Sequence, residues 1–165
     1  MSLTPAGTAL ARRVTHPLLF PLWMLGKLPA AWFVGIRVKE LSGERCVTTL
    51  PYGWRSTNPY RSTYFAAQAM AAELSTGALV LLAAAETGRS FSTLVVDMEG
   101  SFSRKASALL TFTCEGGAEA LQACRESAER GEARTLTLET VGRLPDGSEA
   151  SRFQFRWSVK ARGGR

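Results

Sequence analysis

The stretch PYGWRSTNPYRSTYFAAQAMAAELSTGALV, Pro51 to Val80, decides the fold, because it joins a loop to the start of a helix that is apolar on nearly every side. Pro51 to Pro59 is dense in turn residues and polar groups. Ser62 or Thr63 can cap the helix, which is expected to run to about Ala85, where Glu86-Thr87-Gly88 ends it. The run from Ala66 to Ala85 is long enough to suggest a membrane span. Glu73 lies near its middle, however, and a bilayer would penalise an acid there by roughly 2.5 to 3.5 kcal/mol. The helix therefore reads as the buried core helix of a globular domain, with no integral membrane segment.

Outward from the helix the chain reads as strands. Trp32 to Leu41 has strand character, Ser42-Gly43-Glu44 marks a turn, and Arg45 to Leu50 can return. After the helix come candidate strands at Thr93 to Ser103 and Ser107 to Glu115, then an alanine-rich, charge-laced surface helix over Gly117 to Arg130. Two last strands, Ala133 to Arg143 and Glu149 to Lys160, flank the hairpin signal Pro145-Asp146-Gly147-Ser148. In the final strand Phe153, Phe155, Trp157 and Val159 alternate with Arg152, Gln154, Arg156, Ser158 and Lys160, so one face packs and the other is basic. About six strands and one helix that needs cover all round imply an α+β domain whose antiparallel sheet curls around the helix, with a second subunit closing what remains.

The 165 residues suit one domain, 1–165, with 1–31 as an N-terminal helical extension. Pro17 to Ile36 is apolar, but Lys27 interrupts it and Pro17, Pro21 and Pro29 break any long helix. It reads as a short helical piece packed on the domain near a ligand mouth, with lipid contact through Phe20, Trp23 and Trp32 as the alternative. Apolar residues make up 45% and charged residues 21%, which excludes disorder, collagen and coiled coil. Cys46, Cys114 and Cys124 form no C-x-x-C pair, which argues for a reducing, cytoplasmic setting over a disulfide framework or zinc ribbon. The lone histidine, His16, sits beside Pro17, a poor place for a hydrolytic base or a metal ligand. No metal site is expected. A net charge of +6 favours an anionic partner. Nucleic acid is not expected, since the aromatics of the last strand face away from its arginines and cannot also stack on bases.

The order of elements and the residues of Pro51 to Val80 resemble the hotdog-fold acyl-thioester hydrolases, in particular an uncharacterised thioesterase-like branch. The resemblance implies a homodimer or dimer of dimers with active sites at the subunit interface, an acyl-CoA substrate, and no cofactor, the coenzyme A moiety being part of the substrate. Asn58 matches the amide residue of the loop before the helix, Tyr64-Phe65-Ala66 falls at the His-Gly-Gly-like helix start, and Glu73 falls at the acid. Phe65 replaces a glycine whose N–H polarises the thioester carbonyl, and Tyr64 replaces a histidine. Thr76 lies where some members carry a hydroxyl beside the acid.

The chemistry constrains how these residues act. Thioester hydrolysis needs an activated water or a carboxylate nucleophile, with donors aimed at the developing oxyanion, and a helix N-terminus supplies such donors. Glu73 is eight residues beyond Phe65, about 12 Å along the helix, so the two cannot touch one carbonyl in a single chain. Two antiparallel copies could place the amide end of one beside the acid of the other. Desolvation among Ala69, Met70, Ala72 and Gly77 should raise the Glu73 pKa and suit it as base or nucleophile. Asn58 would orient the water or simply shape the Asn-Pro turn. Arg61, Arg104 and Lys105 are the candidate phosphate contacts, and Met70, Leu74 and Trp54 the candidate acyl slot. The alternative is a non-catalytic acyl-CoA or lipid binder on the same fold.

Overall fold

A computed structural model describes residues 2–163. Three short helices, α1 (Pro5–Val14), α2 (Leu19–Lys27) and α3 (Pro29–Phe33), precede β1 (Arg37–Leu41) and β2 (Cys46–Leu50). The long helix α4 (Phe65–Glu86) follows, then β3 (Phe91–Phe102), β4 (Leu110–Cys114), α5 (Gly117–Arg130), β5 (Arg134–Arg143) and β6 (Glu149–Ala161). The strands form one antiparallel sheet in the order β1-β2-β4-β5-β6-β3, with α4 packed against it.

Why α4 sits inside is visible in its composition. Small residues let strands approach closely: Ala67, Ala71, Ala72, Ala78 and Ala83 are buried against the sheet. Hydrogen bonds then fix its rotation. Thr48 on β2 donates to the Ala71 carbonyl (2.7 Å), Ser75 bonds to Thr140 on β5 (2.8 Å), and Trp157 Nε1 on β6 donates to Thr76 Oγ1 (3.1 Å). Each satisfies a hydroxyl that burial would otherwise penalise. On β6 the alternation holds: Phe153, Phe155, Trp157 and Val159 are buried against the core. The outer arginines are paired, Arg152 with Glu139 and Glu149, and Arg156 with Asp97. That face is therefore a mixed-charge surface.

Several boundaries differ from the sequence reading. Trp32 and Phe33 belong to α3, because Pro29 at the first helical position starts a turn of helix; Gly35, at φ +82°, then redirects the chain into β1. The N-cap of α4 is Tyr64, with no side-chain cap bond. Thr63 is instead buried, with its amide and hydroxyl both donating to the Ala106 carbonyl (2.7 and 3.2 Å). The hairpin at Pro145–Ser148 forms as read: Gly147 has φ +82°, and Asp146 Oδ1 accepts from the Ser148 amide at 2.9 Å. The Ser148 hydroxyl, donating to the same oxygen at 2.6 Å, and then this amide hold the Asp146 carboxyl below its ordinary range.

Helix α1 is tied to the far end of α4. The Glu86 carboxylate accepts from the Thr4 amide (3.1 Å) and hydroxyl (2.8 Å), while Gly7 packs so closely that a Cβ would lie 1.8 Å from Glu86 Oε1. The three cysteines are free and buried, and burial raises their thiols, that of Cys114 to about 11 and that of Cys124 to about 12.

Candidate functional site

Helix α4 carries two different openings. At its N-terminus lies a groove of about 600 Å³ lined by Asn58, Tyr64, Phe65, Gln68, Arg104 and Lys105, among others. With no side chain capping the helix, the amides of Phe65 and Ala66 stay open at its positive end. Asn58 Oδ1 accepts from the Tyr60 amide (3.0 Å), the Ser62 amide (3.2 Å) and the Ser62 hydroxyl (3.2 Å). Its carbonyl thus builds the turn. Its Nδ2 has no partner among the described residues and remains a donor beside the groove.

Gln68 is a groove residue that the sequence reading did not pick out. It is buried, and its Nε2 donates to the Thr63 carbonyl at 3.1 Å, while Oε1 has no hydrogen-bond partner. A buried, unsatisfied amide oxygen costs free energy and asks for a donor. One polar residue in an otherwise apolar first turn was the only sequence signal.

Three aromatic rings, those of Tyr64, Phe65 and Phe102, crowd this entrance. Phe65 is 55% exposed, stands edge-on to Tyr64 (4.9 Å between centroids) and faces Phe102 edge-on at 6.5 Å. The ring lies to the side that β3 occupies, and the amide beneath it is unobstructed by any capping group.

The second opening is at mid-helix. A cavity of about 510 Å³ runs between α2, α4 and the start of β3, lined by Phe20, Trp23, Glu73, Gly77, Phe91 and Trp157 among others; a neighbouring one of about 250 Å³ adds Met70 and Lys27. Glu73 borders both. Its carboxylate lies over Gly77, where an added Cβ would sit 3.1 Å from Oε1 and 3.3 Å from the Trp157 ring. It has no hydrogen bond or ion pair among the described residues, and burial alone pushes its pKa up. The charged form lacks compensation in this apolar wall, which is the environment of a base or nucleophile.

The remaining candidates are divided between the openings or fall outside them. Arg104 and Lys105 line the groove. Arg61 is exposed at the tip of the preceding turn with φ 57°, and its side chain does not line the groove. Met70 lines the smaller cavity, and Leu74 lines both. Trp54 is 81% exposed and packs edge-on to Phe33 at 5.7 Å, so it is on the surface and lines no acyl slot in this chain. Thr76 is buried with its hydroxyl committed, donating to the Glu73 carbonyl (2.9 Å) and accepting from Trp157, which makes it a helix-to-sheet tie. His16 accepts from the Leu18 and Leu19 amides through Nδ1 and thereby caps α2. No cluster of three or more His, Cys, Asp or Glu able to hold a metal occurs among the described residues.

A six-stranded antiparallel sheet packed around a central helix is a hotdog fold. Residues 18–159 match the model of the family described as Domain of unknown function (DUF4442), and the chain belongs to that family. Among solved structures it is similar to PA5026 of Pseudomonas aeruginosa, described as a protein of unknown function and probable thioesterase. That likeness has 23% identity over 97% of this chain and 98% of that one, with a TM-score of 0.72. It is also similar to a mutant of the thioesterase PA1618 of the same organism, at 15% identity over 93% and 99% and a TM-score of 0.65. The thioesterase HI1161 of Haemophilus influenzae matches at 13% identity over 83% and 88%, with a TM-score of 0.62. No curated protein matches the chain in sequence.

Proposed function

We propose that the chain is an acyl-CoA thioester hydrolase whose active sites form between two protomers in a reducing, cytoplasmic setting. The observation that carries this reading is Glu73: a carboxylate without a partner, raised by burial, facing an apolar cavity wide enough for an acyl chain. The separation of about 12 Å along α4 between Glu73 and the Phe65 amide means each opening is half a site. A second copy would supply the other half. Strand β3 supports this: among the described residues eleven of its twelve pair with β6 and none with another strand, Val96 forms a bulge, and Leu94, Val96 and Met98 are exposed along it. A long apolar edge of that kind calls for a partner strand.

In the assembled site Glu73 takes a proton from water, and the resulting hydroxide adds to the thioester carbonyl. The oxyanion rests on the Phe65 and Ala66 amides of the other protomer, with Asn58 Nδ2 as a further donor. The C–S bond then breaks, the thiolate of coenzyme A leaves and takes up a proton, and the free carboxylate is released. Arg104 and Lys105 contact the phosphates, and Met70 contributes to the acyl wall.

Purified protein assayed with an acyl-CoA panel and a thiol reagent tests this. Turnover that is lost in Glu73→Gln and in Asn58→Ala, and partly regained when the two inactive variants are mixed and reassembled, is the expected result, since each mixed dimer holds one intact site. Regain would not occur if each chain carried a complete site. The second reading, a non-catalytic acyl-CoA binder, is favoured by the Phe65 ring at the amide end. Tight binding with no turnover would select it.

A further inference from the structure

We infer that the outer face of α2 docks on an anionic lipid bilayer. Short surface helices of a globular domain usually bury one stripe and present polar groups on the other; α2 does not. Phe20, Pro21 and Met24 are buried inward, but the outward face is also apolar, with Leu18 74% exposed, Leu22 68% and Trp23 47%, joined by Leu19, Leu25 and Leu28. Lys27 is the helix's single charged residue. On α3, the next element, Phe33 is also exposed, against Trp54. Singly exposed leucines are ordinary, but this many between Leu18 and Leu28 form a contiguous surface that water does not favour.

Charge identifies the occupant. The first 39 residues contain Arg12, Arg13, Lys27, Arg37 and Lys39 and no Asp or Glu; the first acid is Glu40. Arg12 and Arg13 lie exposed in the last turn of α1, just before the patch, and Lys27 closes α2. Apolar side chains with Trp, flanked along the chain by cations and by no acid before Glu40, match the boundary of a membrane with anionic headgroups. Self-association of this face about a twofold axis would gather Arg12, Arg13 and Lys27 of both copies at one interface, with no acid among the first 39 residues to pair them, a like-charge arrangement. Trp23 and Leu28 also line the cavity that Glu73 borders, so docking sets that cavity's mouth against the lipid. The docking itself does not depend on thioester hydrolysis.

The full chain is sedimented with phosphatidylcholine vesicles, with and without phosphatidylglycerol, while Trp fluorescence is followed. Anionic vesicles are expected to bind at least about tenfold better than neutral ones, and high salt to reverse the gain. The double variant Leu22→Glu with Trp23→Glu, and separately Arg12→Glu with Arg13→Glu, should each lose binding by about tenfold or more while keeping the wild-type circular-dichroism melt. The second pair lies on exposed positions of α1 and keeps the test decisive if the first pair misfolds. Equal recovery with both vesicle types, or binding unchanged in the folded variants, overturns the inference. So does a Leu22→Glu/Trp23→Glu protein that falls to a smaller oligomer by light scattering with no vesicle binding in the wild type, which would make this face a contact between copies.

Discussion

The two openings on α4 are built by opposite physical means. The N-terminal groove has aromatic walls, Phe65 and Phe102 among them, and draws its polar chemistry from backbone and turn geometry: uncapped amides, the Asn58 turn, an unsatisfied Gln68 oxygen and two cations. The mid-helix cavity is apolar and owes its chemistry to burial of one carboxylate. One presents open donors, the other a carboxylate that is reluctant to be charged. Their spacing along the helix keeps them apart within the chain.

Removing the carboxylate should break the comparison most severely. Glu73→Gln is expected to lower kcat by about 10²-fold or more in a thioester assay. It should also raise the melting temperature near neutral pH. A folded-state pKa above the unfolded value means that the folded protein holds more protons, so stability falls as pH climbs from the unfolded value through the folded one. The variant lacks that loss. Its advantage over wild type should vanish in acid below the ordinary Glu range, and an equal gain at all pH values would show that Glu73 is not desolvated.

A subtler change acts through position. Gly77→Ala puts a methyl 3.1 Å from Glu73 Oε1 and against the Trp157 ring, so the carboxylate must move. We expect kcat to fall by roughly tenfold, while the gain of about 1 kcal/mol from replacing a mid-helix glycine offsets the crowding in denaturant unfolding. Wild-type kcat would mean that this carboxylate geometry is irrelevant. Trp157→Phe removes the bond to Thr76 and should cost about 1 kcal/mol in the same unfolding experiment, with the larger effect on stability rather than on kcat.

The groove cations should matter least. Arg104→Ala with Lys105→Ala is expected to raise KM for acyl-CoA a few-fold, with the effect shrinking in salt, while kcat holds and stability stays within about 0.5 kcal/mol. An unchanged KM across ionic strengths would take the phosphates away from this end of the helix.

The alternation of β6, the apolar α4, the 117–130 helix and the Pro145–Ser148 hairpin were legible because each is set by local periodicity or turn chemistry. So was the rise in the Glu73 pKa, since its helical neighbours are nearly all small or apolar. The start of α4 was misread because Thr63 spends its donors on Ala106, 43 residues away, a partner no local pattern announces. The same holds for Thr76, whose hydroxyl meets Trp157 81 residues on. Trp54, read as part of an acyl slot, stands on the surface of the single chain against Phe33, since an aromatic beside a helix start can turn inward or outward.

By itself the sequence determined the helix that must be covered, the strands able to cover it and the acid within it, because hydrophobic spacing and side-chain type are properties of neighbours along the chain. Only the tertiary structure decided which hydroxyls were committed, which amide oxygen was stranded, and that the donor end and the acid open to different cavities, because those depend on atoms brought together from distant strands and loops.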